Sequence, residues 1–238
     1  MKFEIKSTSK SQIAYLINIA YFGLLFVQMI VDFFDLKAVS FIFRIAMPVL
    51  LVALYQLYST KRNFLFYLAM ALLLISNSFF FYADKMLFFY GILAFILLRV
   101  VMLIHIFKLT SDKNYLHIIV GSFPFLVIFF YLISATSEIS NTEFNILIIQ
   151  SILISILGGI SVVNYFKNEN RQHSWLLIST LLFIGLRFIV FIERYFAYSL
   201  SLAIYRPIEI ILSVFAFYTF YKYVVTAESN ENKNEIIN

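Results

Sequence analysis

Four arginines stand where a charge is disfavoured. Arg44, Arg99, Arg187 and Arg206 each fall inside a long apolar run, and one carboxylate, Glu209, does too. A charge midway across a bilayer costs about 2.5–3.5 kcal/mol on insertion scales, and such residues turn towards the bundle interior and mark functional sites. At a rise of 1.5 Å per residue, Arg44, Arg187 and Arg206 lie about 7–12 Å below the same edge of the membrane. Asn77 shares that depth. Glu209 is one turn below Arg206 on the same helical face, and Arg99 is deeper still. Two plainer readings compete with a site. Arg44 and Arg187 are close enough to the edge to snorkel towards headgroups, and Arg206 with Glu209 forms an i, i+3 pair that neutralises both. If most of the arginines face inward, one carboxylate cannot balance them. The natural counter-ion is then a phosphate, which arginine grips with two parallel N–H bonds, and an amphiphile with an anionic headgroup fits a lipid-accessible pocket.

Other chemistry is poorly represented. His105, His117 and His173 lack metal-ligand spacing, and H-E-x-x-H is absent. There is no G-x-S-x-G nucleophile elbow and no glycine loop for phosphate. With no cysteine in the chain, disulfides, thiol nucleophiles and thiolate metal sites are excluded. No metal or cofactor is therefore expected. Acid catalysis needs a carboxyl or imidazole at the pocket. Glu209 is the main candidate, Glu193 the second and Asp84 a weaker third.

The elements that must position these groups are membrane spans. The chain has 238 residues, 62% hydrophobic and 13% charged, against about 25% charged in a soluble domain. That excludes a soluble globular enzyme and a disordered chain, and the continuously apolar runs exclude an alternating barrel. Eight runs are long enough to cross a hydrocarbon core of about 30 Å: 13–31, 38–57, 64–82, 86–107, 116–133, 144–166, 174–192 and 198–225. The breaks are short and polar, and none can hold an extramembrane domain. The expected fold is all-α, a single polytopic bundle of eight transmembrane helices over residues 1–225. Residues 226–238, acidic and rich in Asn, read as a disordered tail.

The net charge of +5 carries no nucleic-acid motif. Its cations sit mostly in short breaks. Eleven Lys and Arg fall on the side of the termini and three, Lys37, Lys85 and Arg194, on the other. The positive-inside bias therefore predicts both termini in the cytoplasm, as an even number of spans requires. Lys2, Lys6 and Lys10 precede a first run without a cleavage pattern, which reads as an uncleaved signal anchor. The richness in Phe, Ile, Asn and Lys is that of an AT-rich bacterial genome, so the bacterial cytoplasmic (inner) membrane is the expected location. Ser151, Ser155 and Gly159 recur at four-residue spacing, a stripe that lets two backbones approach in lipid. Pro48, Pro124 and Pro207 sit inside spans, which bundles tolerate.

The chain resembles the YhhN-like membrane proteins, the family that includes lysoplasmalogenases, over roughly Arg44 to Lys222. The likeness rests on eight spans and on local segments: Arg44 followed by Pro48, Ser59 to Tyr67 (STKRNFLFY), Gly91-x-x-x-Phe95-x-x-x-Arg99, Leu181 to Ile184, and Tyr205 with Glu209. The resemblance implies a lysophospholipid ligand and cleavage of a vinyl ether bond, giving an aldehyde and a glycerophospho-alcohol. It also shows three departures. Ser76-Asn77 stands for the family's Gly-Asp, Arg99 for its His, and Leu186-Arg187 for its Ser-Asp. Each loses an acid or base, and arginine does not transfer protons near neutral pH. The resemblance thus implies the fold and a pocket lined by Arg44, Asn77, Arg99, Arg187, Tyr205, Arg206 and Glu209 more than it implies the reaction. Three alternatives stay open: a hydrolase using Glu209 or Glu193, a small organic-anion transporter, and a subunit of a larger membrane complex.

Overall fold

A hydrocarbon core offers no partner for backbone N–H and C=O groups, so an apolar run that crosses it must close its own hydrogen bonds as a helix. The computed structural model describes residues 2–82, 84–110, 114–136, 141–196 and 202–237, and among these it forms eight helices: α1 (Lys2–Phe33), α2 (Lys37–Tyr58), α3 (Phe64–Phe81), α4 (Lys85–Leu109), α5 (Tyr115–Ser134), α6 (Asn141–Lys167), α7 (Arg171–Tyr195) and α8 (Leu202–Ile237). All eight are long and apolar enough to span a membrane. The fold is all-α and the protein an integral membrane protein. The expected start of the last span at Tyr198, and Lys113 in the charge count, lie outside the described residues.

The polar breaks are also helix caps. The Asn63 carboxamide oxygen accepts from Leu65 N, that of Asn170 accepts from His173 N, and the Asp84 carboxylate accepts from Met86 N and Leu87 N. Each satisfies amide donors that a helix start leaves open. Asp84 thus serves as the cap at the start of α4 and is not among the residues that line the cavity described below.

Seven helices close a ring in the order α1, α2, α3, α4, α6, α7, α8 and back to α1, while α5 stands outside it and packs on α6. Gly159 explains that docking. A Cβ there would collide with the Ser122 hydroxyl and the Ile118 carbonyl oxygen of α5, and one on Gly158 would meet the Phe125 ring. The Ser151–Ser155–Gly159 stripe is buried, and its glycine is where two backbones meet.

The ring is solid at the end that carries the chain termini. Tyr55 stacks on Phe66 with centroids 4.0 Å apart, and Phe66 stacks on Phe220. Leu54, Met70, Leu98, Ile106, Tyr223 and Val224 fill the space around them. Side chains also bond across helices: Ser179 Oγ donates to Ala216 O, Tyr21 Oη to Val214 O and Ser76 Oγ to Gly91 O.

One expectation is corrected here. The segment from Thr226 onward does not leave the bundle as a disordered tail, because α8 continues to Ile237. Glu228 is 1% exposed and accepts from Tyr55 Oη and from Ser59 Oγ, the latter at 2.6 Å. Glu231 pairs with Lys61 at 3.1 Å, and Asn232 Nδ2 donates to Thr60 Oγ1. An acidic segment reads as solvated from composition alone. Here its carboxylates meet hydroxyls and a lysine of the α2–α3 connection.

Three substitutions test this packing. Gly159→Leu should separate α5 from α6 and lower the melting temperature of the detergent-purified protein by several degrees, while Gly23→Leu, facing open space, should leave it unchanged. Glu228→Ala strands two hydroxyl donors and should cost about 1–3 kcal/mol, measurable as a lower melting temperature.

Candidate functional site

Away from the termini the ring opens into a cavity of about 880 Å³, inside the range of about 300–1,000 Å³ typical of small-molecule sites. All seven ring helices line it. Much of its wall is apolar, with Phe80, Phe88, Phe89, Ile92, Phe95, Leu147, Val190 and Phe217. Six cations also line it, namely Arg44, Lys85, Arg99, Arg187, Arg194 and Arg206, against two carboxylates, Glu143 and Glu209.

The tertiary structure sorts these cations into two groups. At the rim, Arg44 Nη2 lies 3.3 Å from Asp32 Oδ2, Arg206 Nη1 lies 3.2 Å from Asp35 Oδ1, and Arg194 Nη2 lies 2.6 Å from Glu143 Oε1. Asp32 and Asp35 flank the turn between α1 and α2, where Asp35 takes a left-handed backbone (φ 52°), a conformation Asp tolerates better than most residues. The anticipated Arg206–Glu209 pair does not form, since Arg206 reaches Asp35. Nor does Arg187 snorkel: it is buried.

Deeper in the cavity the charges lack such partners. Arg99 is 7% exposed and Arg187 9%. Arg99 Nη1, Arg187 Nε and Arg187 Nη2 are buried without a hydrogen-bond partner among the described residues. The two guanidiniums are near enough to repel each other, and Arg99 lies 5.1 Å from the centroid of the Phe95 ring, a face that favours a cation. Two like charges without an ion pair in a desolvated wall cost stability.

Glu209 Oε1 is likewise buried without a partner. Glu193, Arg44 and Arg206 are close enough to Glu209 to act on its charge. Asn77 lines the cavity while its Nδ2 donates to the Arg44 carbonyl oxygen at 3.1 Å, so it holds α3 to α2 at the rim.

Six of the seven residues expected at the site therefore share one cavity, and Tyr205 is not among those that line it. It stands one residue before Arg206, and α8 turns the two in different directions. Sequence reasoning missed Gln28, Glu143, Gln150 and Arg194. Arg194 and Glu143 sit at helix ends, where a charge reads as ordinary loop polarity. Gln28 and Gln150 are uncharged polar residues mid-span, buried at 4% and 6%, and their amides were a usable signal. His105 and His173 are buried outside the cavity lining, and no group of three His, Asp or Glu among the described residues is placed to hold a metal.

The structure thus defines a class: an integral membrane bundle of eight helices, closed at the terminus-bearing end and hollow at the other. Comparison of the chain with protein-family models, with curated proteins and with solved structures finds no match.

Because Arg187 is an unpaired charge in a dry wall, Arg187→Met should stabilise the protein by about 1–4 kcal/mol, read as a higher melting temperature in detergent. A lower melting temperature would show that the guanidinium supports the fold instead of a ligand.

Proposed function

We propose that this protein binds a single-chain anionic amphiphile, of the lysophospholipid kind, with its anionic group against Arg99 and Arg187 and its chain along the aromatic wall. One observation carries the reading: two nine-tenths-buried guanidiniums, mutually repelling and with N–H groups lacking a protein partner, line a cavity whose other walls are largely apolar. Arginine's planar fork matches phosphate and carboxylate oxygens, and charge-assisted bonds of this type are about twice as strong as neutral ones. The proposal places the cavity in the outer half of the bilayer, with both termini cytoplasmic. It treats the protein as a YhhN-like relative that has kept the pocket and diverged at the reacting positions. Cleavage is left out of it, because Asn77, Arg99 and Arg187 stand where that family's acids and histidine would, and protonating a vinyl ether carbon needs a group that gives up a proton.

A second reading has one specific support, the Glu209–Glu193 carboxyl pair, with Glu209 on the cavity wall. Neighbouring carboxyls in different surroundings can divide acid and base roles. Under this reading Glu209 would deliver the proton, and a water would attack the resulting oxocarbenium. Aldehyde release from lysoplasmalogen by the purified protein, abolished in Glu209→Gln, would establish it in place of binding alone.

The binding reading is tested by native mass spectrometry of the full chain in detergent, with lysophosphatidate against monoacylglycerol of the same chain length. The charged amphiphile should be retained and the uncharged one not. Arg99→Gln and Arg187→Gln should each weaken retention by about tenfold or more, the scale of one lost charge-assisted bond. Equal retention of both amphiphiles by the unaltered protein would overturn the reading.

A further inference from the structure

Arg99 lies fourteen residues beyond Lys85 on α4, which at 1.5 Å per residue puts its Cα about 20 Å below the mouth. Arg187 lies eight residues before Tyr195 on α7, about 12 Å below it. The two helices run in opposite senses, and Cα–Cβ bonds lean towards a helix N-terminus. Arg99 therefore leans towards the mouth and Arg187 away from it, which brings side chains that start at different depths towards a common level.

Below that level the bundle is shut. Leu98, Met102, Ile154, Leu157, Phe183 and Phe217 surround a void of about 10 Å³ beside Arg99, hardly the size needed for one water. Whatever the guanidiniums hold must therefore be the end of its molecule, since any further substituent would have to pass through this apolar floor. Charge sets a second condition. Two buried cations with N–H groups unpartnered among the described residues are balanced by a double negative charge; the rim carboxylates already pair with Arg44, Arg206 and Arg194, and Glu209 sits among Glu193, Arg44 and Arg206 instead of beside Arg99 and Arg187. A carboxylate or a phosphodiester brings one charge. A phosphate monoester brings about −1.5 to −2 at neutral pH and three acceptor oxygens.

Resting on the anion-site reading above, we propose that Arg99 and Arg187 select a terminal phosphate monoester, either free phosphate or the head of a single-chain amphiphile lying head-down with its tail towards the mouth. Phosphodiester headgroups, which carry a second substituent beyond the phosphorus, are excluded by the floor.

The test titrates the full chain in detergent with three probes: lysophosphatidate, lysophosphatidylglycerol of the same chain, and inorganic phosphate. Lysophosphatidate should bind at least about tenfold tighter than the diester, and the advantage should shrink as the pH falls from about 8 to about 5, where the monoester's second proton returns. Arg99→Gln and Arg187→Gln should bring monoester and diester to within about twofold of each other, and Arg187→Lys, which keeps the charge, should retain part of the preference. Displacement of lysophosphatidate by inorganic phosphate supports the assignment with free phosphate as a sufficient ligand. Failure of inorganic phosphate to displace it supports the assignment with a lipid head as the source. Equal binding of monoester and diester, both lost in the glutamine variants, overturns the monoester assignment and leaves the anion site standing. If neither binds better than monoacylglycerol, both proposals fall.

Discussion

Two buried guanidiniums close enough to act on each other, with N–H groups that no acceptor among the described residues meets, set the terms for the rest of this molecule. Burying one unpaired charge is unfavourable, and placing a second beside it adds repulsion. A bundle that tightened around Arg99 and Arg187 would deepen both penalties. The repulsion therefore opposes collapse, and the space between them is the natural place for an outside anion.

At the rim three of the cavity's arginines are already paired. Asp32, Asp35 and Glu143 reach Arg44, Arg206 and Arg194, and two of those carboxylates flank one short turn between α1 and α2. The Arg206–Asp35 and Arg194–Glu143 pairs are exposed and contribute little stability. The importance of all three pairs lies in charge accounting: they engage three of the cavity's arginines, whereas Arg99 and Arg187 have no ion pair among the described residues.

A hollow end needs a solid one. Between the floor and the terminus-bearing end, stacked aromatics of α2, α3 and α8 fill the interior, and Glu228 ties α8 to the α2–α3 connection through two hydroxyl donors. The glycines of α6 seat α5 outside the ring, so the cavity is built from the other seven helices. Stability is concentrated in one half of the bundle and the unfavourable charges in the other, a division common where function asks for a strained site.

The sequence by itself determined the number and kind of elements. Continuous apolar runs leave the backbone no choice but helix, and polar breaks containing Asn63, Asp84 and Asn170 mark where helices begin. It also singled out Arg44, Asn77, Arg99, Arg187, Arg206 and Glu209, because a charge or amide within an apolar run is conspicuous in one dimension. Only the tertiary structure decided what those groups do. Partners such as Asp35 for Arg206, or Tyr55 and Ser59 for Glu228, lie some 170 residues away along the chain, and no local pattern encodes them. The same distance hid the role of Glu143 and Arg194, which look like loop charges until α6 and α7 stand side by side. Depth, direction and pairing are properties of neighbouring helices, so which arginines are neutralised and which stay open had to wait for the fold.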